Sequence, residues 1–116
     1  MLNKVVRVYV PGTIDANKSA ENIQAQWTQT TLERLAVLFG GATAIKAEGA
    51  WVSDTEGLIV EPVVLISSFC DEKSLEKHRQ EVISLAQEIA VAMTQECVSV
   101  EFGGIMEFVS LQKEAA

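Results

Sequence analysis

Basic residues are scarce in this chain of 116: nine Lys and Arg stand against sixteen Asp and Glu, for a net charge of −7. Such a surface repels phosphate backbones, so nucleic-acid binding is not expected. Histidine occurs once, at His78, and cysteine twice, at Cys70 and Cys97. With no CxxC pair and no histidine beside either thiol, no metal centre is expected. A helix between the two cysteines would hold them too far apart for a disulfide within the chain, and unpaired thiols suit a reducing cytoplasm. No apolar run reaches the ~20 residues of a membrane span. The opening MLNKVVRVYV lacks the h-region and cleavage site of a signal peptide. Walker, GxSxG, HExxH and Rossmann glycine patterns are all missing, and nothing here calls for a cofactor.

What is present is globular: 48% apolar and 22% charged residues, enough for one α+β domain over 1–116 with a frayed tail at 111–116. Its centre is the run Val63, Val64, Leu65, Ile66. Successive strand residues point to opposite faces, so a strand apolar on both parities needs cover on both sides. Around it, residues 42–52 and 58–69 form the arms of a hairpin whose turn is Ser53 to Gly57, and Pro62 marks a bulge or a gap in one ladder. A first strand is expected at 3–10, stopped by Pro11-Gly12, and then a loop at 13–20. A helix at 21–39 follows, capped by Ser19 and closed by Gly40-Gly41. A second helix runs from an Asp71 cap to about Gln95, with Leu75, Val82, Leu85, Ala86, Ile89 and Met93 along one face. Strands at 97–102 and 105–110 flank Gly103-Gly104.

This order predicts a ferredoxin-like βαββαβ core with an extra C-terminal hairpin strand, and two helices on one face of a mainly antiparallel sheet. The other face then carries Tyr9, half of the 58–69 strand and Trp51, and is too apolar for a monomer. A second copy is its simplest cover, giving a homodimer or higher homo-oligomer. The GAWVSD run at 49–54, the following Gly57 to Pro62, and Gln95, Glu96, Cys97 and Val98 resemble small bacterial proteins and domains without an assigned activity. The resemblance runs from Tyr9-Val10-Pro11-Gly12 to Phe108. It implies one intact domain and brings no catalytic residues with it.

The residues that could carry chemistry are scattered. His78 offers an imidazole near the core stripe of the second helix, either as a base or as an ordinary edge of the core. Cys70, at a helix start, is either a thiol of lowered pKa or a small buried hydrophobe. Asp54 and Glu56 sit on the hairpin turn with Glu48 nearby, but their spacing matches no calcium loop. Trp51 beside that turn could line a pocket or an interface. Glu61 and Glu101, each within a strand, must be at an edge, paired or facing a cavity, and Arg7 and Tyr9 could supply a partner charge and a hydroxyl. Two functions follow. One is a noncatalytic homo-oligomeric binding or accessory module with a protein or small-molecule partner. The other is a small dimeric enzyme with a pocket lined by Arg7, Tyr9, Trp51, Glu61 and His78.

Overall fold

The computed structural model describes residues 1–14 and 18–111; most of the expected frayed tail lies outside the described residues. The chain forms β1 (Lys4–Pro11), β2 (Thr13–Ile14), β3 (Lys18–Ser19), α1 (Glu21–Phe39), β4 (Thr43–Ser53), β5 (Gly57–Cys70), α2 (Glu72–Ala92), β6 (Cys97–Phe102) and β7 (Ile105–Ser110). The large sheet has the order β4-β5-β1-β6-β7, and every pairing in it is antiparallel. Without β7 this is the ferredoxin-like strand order, with both helices packed on one face.

The alternation along each strand decides which side the helices cover. In β1, Val6, Val8 and Val10 are buried while Val5, Arg7 and Tyr9 are half-exposed. Their register partners continue the pattern: Val64, Ile66 and Ser68 of β5 and Val100 and Phe102 of β6 are buried beneath α1 and α2. From α2 come Leu75, Val82, Leu85, Ala86 and Ile89, and from α1 Leu35 and Thr31. The buried hydroxyl of Ser68 donates to the Gly41 carbonyl at 2.6 Å, tying β5 to the end of α1. Val63 and Leu65, on the second parity, are only half-buried, because no described element lies over that side.

Four local expectations are corrected. Ala20, not Ser19, is the N-cap of α1 and offers no side-chain cap, because Ser19 is drawn into a short ladder opposite Thr13. That ladder also replaces part of the loop expected at 13–20; residues 15–17 of that loop are not described. Pro11 belongs to β1, pairing with Val63, where its missing N–H costs nothing at a strand end. Finally, α2 stops at Ala92: Thr94 takes φ 51° and the Gln95 amide donates to the Ala90 carbonyl, a Schellman-type closure without glycine. The expected Asp71 cap is present, its carboxylate accepting from the Ser74 amide at 2.8 Å.

Candidate functional site

The β1–β5 ladder ends at the Pro11–Val63 pair, whereas β4 and β5 continue together to Ser53 and Gly57. The hairpin therefore projects beyond the body of the sheet as a two-stranded arm. Pro62 stands at the departure point, where a missing N–H goes unnoticed on the side that has lost its neighbour. Gly12 backs directly onto it. A Cβ at Gly12 would lie 2.6 Å from both Cγ and the carbonyl oxygen of Pro62, so the close approach admits only glycine.

At the base of the arm, on the face away from the helices, lies a recess of about 350 Å³. Tyr9 and Leu65 come from β1 and β5, Trp51 and Glu61 from the arm, and Cys97 and Ser99 from β6. Glu48 also reaches its rim. The side chains on this face thus supply two aromatic rings and the Glu61 carboxylate, and no Lys or Arg lines the recess; Glu48, opposite Pro62, borders it from the other parity. Trp51 Nε1–H donates to Glu61 Oε2 at 3.1 Å. Gly49 is the cross-strand partner of Glu61, and a Cβ there would meet nothing within 4 Å. That is open space kept by the lack of a side chain.

The sequence candidates divide. Tyr9, Trp51 and Glu61 come together in the recess. Arg7 shares their face but belongs to a different set: its Nε–H donates to Ser67 Oγ at 2.9 Å and its NH1 pairs with Glu101. The register puts Glu101 and Ser67 directly opposite Arg7 on its two neighbours, which explains why Glu101 and not Glu61 is its partner. Asp54 lies in the exposed turn at the tip of the arm, where the Ser53 hydroxyl accepts from the amides of Thr55 and Glu56 at 3.2 Å. His78 is on α2 in the helical layer, its Nδ1 2.6 Å from Glu81 Oε1 and its ring edge-on to Phe39. It is not part of the recess. Among the described residues no group of three or more His, Cys, Asp or Glu is placed to hold a metal ion.

Cys70 carries a raised pKa, chiefly from burial and then from the charge of Asp71, which overturns the idea of an activated thiol at a helix start. Cys97, Ser99 and Glu48 were not singled out as pocket residues by sequence reading. The usable signal was parity, since Cys97 and Ser99 alternate with buried Val98 and Val100 and share a face with Glu101. Larger hollows lie on the helical side, of about 540 Å³ between the helices and about 660 Å³ between α1 and the β4–β5 edge, and none of the candidate residues lines either.

No protein-family model matches the chain, and no curated protein matches it. Two solved structures do. A phage SAM lyase in complex with S-methyl-5'-thioadenosine superposes with a TM-score of 0.64 at 18% identity, over 97% of this chain and 92% of the other. A phage SAM lyase in the apo state gives 0.64 at 19% identity, over 98% and 94%. At that identity the likeness establishes the fold: the chain has, over nearly its whole length, the α+β architecture of a phage SAM lyase.

Proposed function

We propose that this chain is a small enzyme acting on an adenosyl sulfonium, SAM being the compound of that class to test, with the recess at the base of the arm as its binding site. The observation that carries the reading is the recess lining, two aromatic rings and the Glu61 carboxylate without a basic side chain. A flat base stacks on an indole or phenol ring, and a sulfonium is a compact organic cation that aromatic faces and carboxylates attract. An anionic ligand would find no counter-charge there. The full-length likeness to SAM lyase structures supports the small-enzyme reading over the noncatalytic module, since the scaffold is known to hold a thioadenosine.

The reading includes a second copy of the chain. Ile45, Phe69, Met106 and Phe108 stand exposed on the same open face as the recess, an apolar extent that self-association would cover.

Calorimetric titration of the protein with SAM and with S-methyl-5'-thioadenosine tests the site, and chromatography of a SAM incubation tests turnover. Gly49→Leu is the informative variant, because its side chain would grow into free space and occlude the recess without backbone strain. It is expected to abolish binding and turnover while leaving the thermal midpoint near that of the parent. Undiminished binding by Gly49→Leu would place the ligand elsewhere.

A further inference from the structure

Glu61 faces Gly49 across the arm, and Trp51 stands one diagonal step away, opposite Ile59. Diagonal neighbours on one face of an antiparallel pair are within reach of aromatic and long side chains. Glycine at the directly opposed position leaves the carboxylate free to lean toward the indole, whose N–H donates to Oε2 at 3.1 Å. An indole nitrogen has one hydrogen and accepts nothing, so this bond uses the whole polar capacity of Trp51. Among the described residues no side chain donates to the second oxygen, Oε1. The pair sits where the sheet is only two strands wide, and β1 does not flank this stretch to fix a glutamate rotamer by packing.

We propose that Trp51 is a positioning residue for Glu61. Its indole N–H holds one carboxylate oxygen against the arm so that the other is presented to the positive centre of the ligand. The inference rests on the function proposed above, and it assigns to that site its means of preferring a cation over the neutral thioether of the same shape.

Two readouts on the whole protein separate the tether from the choice of ligand. Without ligand, the two tryptophans of the chain give two indole N–H signals in a proton–nitrogen correlation spectrum, and Trp51→Phe assigns them. Glu61→Leu is expected to shift the Trp51 signal and to speed its solvent exchange about tenfold, the Trp27 signal holding still. A Trp51 signal indifferent to Glu61→Leu overturns the proposal whatever the protein binds.

With ligand, the ratio of dissociation constants for S-adenosylhomocysteine and SAM, which differ by one methyl group and its charge, measures the preference for the cation. Trp51→Phe keeps an aromatic ring but loses the donor, and it is expected to cut that ratio about tenfold. In a Glu61→Gln background the same change should move the ratio less than about twofold, the non-additivity of residues that act together. Equal losses for both compounds, with the ratio unchanged, would make Trp51 a wall and overturn the positioning role. A parent protein that binds neither compound, while its indole signal answers to Glu61→Leu, would overturn the ligand reading and leave the tether standing.

Discussion

The buried Thr31 is the sharpest test of how single side chains are accounted for in this core. It is fully buried on α1, and its hydroxyl has no hydrogen-bond partner among the described residues. A buried hydroxyl without a partner costs folding free energy, and valine has nearly the same shape. Thr31→Val is therefore expected to raise stability by about 1 kcal/mol, readable as a higher denaturation midpoint with an unchanged m value. The thiols give a second contrast. Cys70 is 2% exposed with its pKa pushed up by burial, whereas Cys97 is exposed at the recess. A thiol reagent at neutral pH should label one cysteine per native chain quickly and both after denaturation. Rapid labelling of both in the native state would contradict the packing around Cys70.

At the scale of elements, α2 begins with a cap whose electrostatics can be followed by pH. The Ser74 amide, bonding to the Asp71 carboxylate, is the main cause of a pKa lowered from the usual 3.8. A carboxyl held lower when folded than unfolded stabilises the fold above its unfolded value, and that contribution disappears as pH falls through the folded value. Asp71→Ala should consequently melt below the parent at pH 7, and the gap should close as pH drops under about 4. A gap that widened in acid would reverse the assignment. Elements were also where the sequence could be read best. The spans of α1, β6 and β7 coincide with the apolar periodicity and glycine punctuation, because those signals are local. The arm could not be read in this way. That a hairpin outruns its neighbour depends on where β1 stops pairing, and this is set by Pro11 meeting Val63 some fifty residues later. For the same reason the pocket expected from Arg7, Tyr9, Trp51, Glu61 and His78 was drawn too wide: Tyr9, Trp51 and Glu61 do meet, while Arg7 and His78 lie outside the recess. Arg7 looked like their companion until register gave it to Glu101, a contact spanning 94 residues of sequence.

Taken whole, the molecule measures 46 × 36 × 23 Å, a plate with a helical side and a bare sheet side. Ile66 and Leu65 are adjacent residues of β5 that report on these two sides separately. Ile66→Ala removes a fully buried side chain under the helices and should cost about 2–5 kcal/mol with little effect on self-association. Leu65→Ala lies on the open face and should cost a monomer less, while making the thermal midpoint fall more steeply on dilution. Sedimentation at micromolar concentration checks both, and identical association constants for parent and Leu65→Ala would remove the open face from the interface.

The unequal sides also bear on how the protein behaves at a boundary between phases. A thin plate with carboxylate-rich helices on one side and Ile45, Trp51, Phe69 and Phe108 bare on the other is built like a surfactant. At high dilution it should spread sheet-down on plastic, resin or an air bubble, with its recess pressed against the surface. Protein recovered at high dilution would then decline with vessel area as well as with concentration, and a trace of mild detergent would restore the count of molecules in solution while competing for the very face that carries the recess.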